Sequence, residues 1–361
     1  TVRSALAEAS DAVADAESPW LIAPVSDKIS EFTRAVDDAS SDAEAAADAV
    51  AVLPDILGGD GRRFYFVAFG TPAETRELGG FMGAYAIMLA EGGELSLAKT
   101  GRVRDLNETL RSRSLDDPSA FPAHFLALQP ERYFQNVTGT ADFPTVAEAV
   151  AQMWPPGAGR FDGVLYMDPQ TLADMLGLTG PIRVPGYDKP LTAATAAPFL
   201  LRQQYIDFPN DDRHDFLVDA AESVFDELTT GELPRPRVIA DTLAPAVRER
   251  RLLLNSIHPA EQALFERFGL DGALPPVRGD FLSVRASNRG QSKIDAMVQR
   301  TITYDATVDP VVGAVRATVA ISIRNDAPAT GLPFNVIGNH VGQPSGTSST
   351  TVSVYTPLEL V

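Results

Sequence analysis

The sequence predicts an α/β/α sandwich, led in by helices and followed by a small antiparallel β module, and three observations carry that prediction. First, three apolar runs bounded by glycines succeed one another: Phe64 to Phe69, Phe81 to Ala90 and Leu95 to Ala98. Short apolar runs between glycines read as buried strands. Second, strand-like and helix-like segments alternate from Thr145 to Val184, which calls for helices on both faces of a sheet. Third, the hydrophobic period drops to two after residue 297, the mark of antiparallel strands.

In chain order, residues 1–60 are rich in Ala, Asp and Glu and read as a helical lead-in. Apolar stripes run through Leu6, Ala9 and Val13, through Ile29, Phe32 and Ala35, and through Val50, Leu53 and Leu57. Pro19 and Pro24 separate the first helix from the second, and the acidic faces read as solvated. Residues 61–285 form the α/β domain. Its first strands flank a polar loop with Glu74, Arg76 and Glu77, and the third run delivers Arg102, Arg104 and Asp105 to its far end. Residues 106–135 read as irregular or short-helical. A helix is expected from Thr145 to Met153, capped by Asp142 or Thr145. Val164 to Met167 reads as a strand between Asp162 and Asp168, Pro169 opens a helix, and Ile182 to Val184 reads as a further strand. Amphipathic helices are expected over 192–205, 216–228, 243–254 and 258–268. Residues 286–361 read as a β-sandwich-like module: Ile302, Tyr304, Ala306 and Val308 alternate with polar residues, as do Val315 to Ile323 and then Val352 and Val354.

Composition excludes some functions. The chain of 361 residues has a net charge of −18, which argues against a nucleic-acid partner, since phosphate backbones select basic surfaces. Cys is absent, so there is no thiolate nucleophile, thiolate metal site or disulfide framework. No apolar stretch reaches the roughly 18 residues of a membrane span. A chain that begins at Thr1 without Met reads as a trimmed or mature form, and a membrane anchor outside this sequence is compatible with it.

Familiar motifs fail on their details. Gly92 to Thr100 ends in Lys99-Thr100, but Ala98 stands where a phosphate loop needs glycine. The GGFMG run at Gly79 to Gly83 lacks dinucleotide-loop spacing and precedes a strand. His124, His214, His258 and His340 lie far apart, so no zinc-type set is read. No G-x-S-x-G elbow occurs. The charge run Asp207 to Asp215 reads as a loop or cap. What survives is a set of arginines and carboxylates. Arg76, Arg102 and Arg104 offer forks of donors for phosphate or sugar hydroxyls. Glu74, Asp105, Asp142, Asp162 and Asp168 are candidates for acid, base, nucleophile or divalent-ion ligand. Around their short strand, Asp162 and Asp168 read first as turn and cap residues.

The run AETRELGGFMGAY (Ala73 to Tyr85) resembles the signature of the actinobacterial family called domain of unknown function 4012. ADFPTVAEAV (Ala141 to Val150), DGVLYMDP (Asp162 to Pro169), LTGPIRV (Leu178 to Val184), NRGQSKIDAMVQRTITYD (Asn288 to Asp305) and GLPFNVIGN (Gly331 to Asn339) resemble it too, in order. That family in turn resembles, more distantly, the LytR-CpsA-Psr proteins, which move glycopolymers from polyprenyl pyrophosphate carriers onto the cell wall. Arg76 and the Arg104-Asp105 pair fall at places equivalent to theirs, while the aspartate usual after the loop arginine is replaced by Gly79-Gly80 and Phe81.

The resemblance implies a LytR-CpsA-Psr-like sandwich, an extracellular or cell-surface location and cell-wall polysaccharide as partner. Three functions are then expected. One is a carboxylate-dependent glycosidase or transglycosylase on arabinan or galactan, with Glu74 and Asp105 or Asp142 as the catalytic pair and Arg76, Arg102, Arg104 and Asn136 on the substrate. It needs no metal and no cofactor. The second is a phosphotransferase, with those arginines on pyrophosphate and Mg²⁺ at Asp105. The third is a non-catalytic glycan-binding module.

Overall fold

The computed structural model describes residues 8–9, 23–109, 113–154, 159–208, 216–231, 234–276 and 280–359. The stripe positions Leu6 and Val13, the break at Pro19 and most of the charge run Asp207 to Asp215 lie outside them.

A mixed five-stranded sheet organises the chain, in the order β3-β2-β1-β4-β5. Its strands are β1 (Arg63–Thr71), β2 (Phe81–Glu91), β3 (Glu94–Arg102), β4 (Gly163–Met167) and β5 (Leu252–Ser256). β1 pairs parallel to β4, and every other pairing in the sheet is antiparallel. β1 sits at the centre, buried on both faces, which is why its sequence is a continuous apolar run rather than an alternation. Successive side chains leave opposite faces of a strand. Accordingly Phe66 and Ala68 join one core with Phe125, Phe134, Phe143 and Val150, and Val67 and Phe69 join the other with Leu172, Leu176, Phe199 and Phe216. Helices cover both faces. α2 (Val103–Thr109) and α3 (Phe143–Met153) serve the first. The second takes α4 (Pro169–Thr179), the helical stretch through the π-turn Phe199–Gln203, and α5 (Phe216–Thr230).

The lead-in is one 34-residue helix, α1 (Ala23–Ile56), which Pro24 opens rather than breaks. Its contact face is Val36 and Ala45, whereas the expected stripe residues Phe32, Val50 and Leu53 are exposed. Arg267 pins it by bonds to Asp48 (2.7 Å) and the Ser41 carbonyl (3.0 Å).

Two expected elements change. The helix read over 243–254 divides: α6 (Pro236–Arg248) stops, Arg250 turns the chain with φ +59°, and Leu252 to Ser256 become β5. A short apolar run fits strand and helix alike, and edge pairing with β4 decides it. The strand expected over Ile182 to Val184 is a single bridge, Ile182 to Leu191. α7 (Pro259–Arg267) follows β5.

The C-terminal part holds two two-stranded antiparallel sheets: β6 (Ser283–Asn288) with β9 (Thr350–Tyr355), and β7 (Val298–Val308) with β8 (Val315–Asn325). The alternation located these strands, and Ile302 and Ile323 remain 45% and 42% exposed. The connection between β6 and β7 reaches back to the loop that joins β1 to β2.

Candidate functional site

The β1–β2 loop, Pro72 to Gly80, is polar in sequence yet almost wholly buried. A buried loop must satisfy its own backbone and side-chain groups. Locally, the Glu74 amide donates to the Thr71 carbonyl (3.0 Å) and the Phe81 amide to the Glu74 carbonyl (2.9 Å), which closes the loop into β2. The segment after β6 does the rest. The Asn288 amide donates to the Thr75 carbonyl (3.0 Å) and the Asp295 amide to that of Ala73 (3.1 Å). Asp295 Oδ2 accepts from the Thr75 amide and hydroxyl (both 2.9 Å) and from Asn288 Nδ2 (2.8 Å), while Oδ1 takes Arg300 Nη2 (2.8 Å).

Within this clamp Glu74 is 5% exposed and held by two cations. Arg76 Nη2 lies 3.1 Å from Oε1 and Lys293 Nζ 2.8 Å from Oε2. The Lys293 ammonium also sits 4.5 Å over the Phe81 ring. Burial alone would raise the Glu74 pKa, but the Lys293 and Arg76 charges and hydrogen bonds outweigh it and hold the carboxyl below its ordinary range. Burial pulls the Lys293 pKa down, and Glu74 more than restores it, so the ammonium is held above its usual value.

Arg76 is spent within the protein. Nε and one Nη2 proton go to Asn136 Oδ1 (3.2 Å each), the other Nη2 proton to Glu74, and Nη1 to the carbonyls of Thr75 (2.9 Å) and Asn288 (3.2 Å). All five guanidinium donors thus have acceptors. Arg76 positions Glu74 instead of presenting a fork to a ligand, and Asn136, whose Nδ2 donates to the Leu128 carbonyl (2.8 Å), holds Arg76. Both were expected to bind substrate through these groups, and the structure gives the groups to the scaffold.

Glu74 opens into a cleft of about 320 Å³, at the lower end of the roughly 300–1,000 Å³ of ligand sites. Phe81, Tyr133, Gln129, Gln135, Asn288 and Arg289 share its lining, and among the described residues Glu74 is the only carboxylate there. Rings, amides and the guanidiniums of Arg76 and Arg289 around a single acid make a polar cleft suited to hydroxyl-rich ligands.

The other candidates are placed elsewhere. Arg102 ends β3 opposite Ala84, at the same end of the sheet as the loop but two strands over, about 10 Å across. Arg104 and Asp105 lie in the first turn of α2, each with an interaction of its own. Asp142 caps α3: Oδ2 accepts from the Thr145 amide (3.1 Å) and hydroxyl (2.6 Å), and Oδ1 from the Leu274 amide (2.9 Å). The expected pairing of Glu74 with Asp105 or Asp142 is therefore not what the cleft presents. Asp168 caps α4 through Thr171, and Asp162 binds the Phe64 amide and His258 (both 2.8 Å). Among the described residues no three His, Asp or Glu side chains converge as metal ligands. Lys293, Asn288 and Asp295 were missed as site residues. They lie in an aperiodic polar stretch, and only the family resemblance touched it.

The fold and site define a class: a mixed α/β protein whose buried loop carries an ionised, doubly paired carboxylate into a polar cleft. Residues 60–205 match the family described as Protein of unknown function (DUF4012), so this stretch is a DUF4012 region. Among solved structures, the chain is similar to the Lin1025 protein of Listeria innocua, at 9% identity and a TM-score of 0.26 over 72% of this chain and 92% of that one. It is also similar to the transcriptional regulator yvhJ of Bacillus subtilis, at 9% identity and a TM-score of 0.22 over 57% and 76%. No curated protein matches the chain significantly.

Proposed function

We propose that this chain is a cell-surface enzyme of envelope polysaccharide, of arabinan or galactan type, that acts as a glycosidase or transglycosylase with Glu74 as its reacting carboxylate. The observation that carries the reading is Glu74 itself, kept ionised by Lys293 and Arg76 at a cleft lined with rings and amides. A carboxylate so held cannot serve as the acid, and it suits attack on an anomeric carbon. As the glycosidic C–O bond breaks, a bond forms from Glu74 to the sugar. The leaving oxygen needs a proton, and Tyr133 bears the one hydroxyl among the described lining residues. Water or a second sugar hydroxyl then attacks the same carbon, gives its proton to the Tyr133 oxygen and releases Glu74 as the carboxylate. The substrate class rests on the resemblance to the glycopolymer-handling proteins.

The phosphotransferase reading is weakened because Arg76, one of the three arginines it places on pyrophosphate, has no donor left. The test is incubation of the chain with purified arabinogalactan and lipoarabinomannan, in EDTA and without a lipid donor. New or cyclised oligosaccharides are the expected products. Turnover that appears only with Mg²⁺ and a polyprenyl-pyrophosphate donor would replace the proposal with transfer. Saturable binding without turnover in either condition would leave a glycan-binding module.

A further inference from the structure

A second cavity, of about 150 Å³, shares Arg76 with the Glu74 cleft and is otherwise lined by different residues. Two guanidiniums face it with donors unused. Arg285 makes one hydrogen bond, from Nε to the Ser283 hydroxyl (2.8 Å), and its Nη nitrogens have no hydrogen-bond partner among the described residues. Arg300 gives Nη2 to Asp295, while its Nε is buried with no acceptor. A buried donor left unmet, as Arg300 Nε is, is costly in a protein interior and asks for an acceptor.

Charge points the same way. Around the loop stand four cations, Arg76, Arg285, Lys293 and Arg300, against three carboxylates, Glu74, Glu77 and Asp295. Glu77 acts on Arg285 through its charge, but no hydrogen bond or close ion pair joins the two among the described residues. Its oxygens take the Ser353 and Tyr355 hydroxyls, and His124 Nε2 lies 3.2 Å away. The remaining wall is aliphatic, from Val284, Ile302, Ile321, Ile323 and Val352. The volume equals about five waters at roughly 30 Å³ each, enough for an oxyanion head and a short chain. The partial exposure of Ile302 and Ile323 leaves the chain a way out.

We propose that this cavity binds a small oxyanion bearing an aliphatic substituent, with Arg285 and Arg300 as its ligands. The site is separate from the Glu74 chemistry and stands or falls without it. Titration calorimetry of the whole chain with butyl phosphate and with inorganic phosphate tests it. Saturable binding of butyl phosphate is expected, tighter than that of inorganic phosphate, and weakened at least tenfold in Arg285→Met. In chain labelled with ¹⁵N-arginine, butyl phosphate should shift two Nε resonances, a readout that needs no substitution. No saturable binding, unchanged affinity in Arg285→Met or unmoved Nε signals would overturn the site. Equal affinity for the two anions would overturn the aliphatic half and assign the cavity to free phosphate.

Discussion

Glu74 and Lys293 stabilise one another over opposite ranges of pH. The carboxyl pKa is lowered from 4.5, so its contribution is present above that value and is lost as pH falls through the folded value. The ammonium pKa is raised from 10.5, so its contribution is present below that value and is lost as pH rises through the folded one. Lys293→Met should leave burial as the stronger influence on Glu74. Its acid-unfolding midpoint, followed by circular dichroism, should move to higher pH. Removing one partner of a buried pair should also cost about 3–5 kcal/mol in denaturant melts. An acid midpoint that stays in place would mean Arg76 alone holds the carboxylate. Glu74 and Arg76 were legible in the sequence because they interrupt two apolar strands. Lys293 was not, for it arrives from 219 residues away along an aperiodic stretch.

Among the elements, β1 and β4 meet through Tyr166. Its ring fills the notch left by Gly70, where an added Cβ would stand 2.1 Å from the Tyr166 hydroxyl oxygen. Gly70→Ala should therefore destabilise the chain by about 1–3 kcal/mol, seen as a lower melting temperature. Combination with Tyr166→Ala should be clearly less than additive. The cap of α3 gives a sharper contrast. Asp142→Ala should lower stability by about 0.5–2 kcal/mol and leave turnover per folded molecule intact, because its oxygens serve Thr145 and Leu274. Lost turnover in a folded variant would return Asp142 to the mechanism. Most elements were readable: glycine-bounded runs gave the first three strands, and Asp–Pro boundaries gave α4. β5 was not, since Leu252 to Leu254 carries no periodicity of its own and only the free edge of β4 makes it a strand.

At the scale of the whole molecule, the C-terminal part completes the site. Asp295 ties the loop to β6 and β7, so the strands read as an appended module hold Glu74 in place. Asp295→Ala should speed hydrogen exchange at the Thr75 amide and its neighbours while β1 and β4 stay protected. Exchange confined to the C-terminal strands would show that the loop holds itself. Composition could not reveal this dependence, because it joins a loop near residue 75 to a turn near 290 through backbone and side-chain bonds between segments more than 200 residues apart.

Wild-type chain and Glu74→Gln, treated side by side with arabinogalactan, test the central claim most directly. Mass spectrometry of the products should show oligosaccharides from the wild type and at least ~10²-fold less from a folded Glu74→Gln. Equal product from both would remove Glu74 from the chemistry and contradict the account.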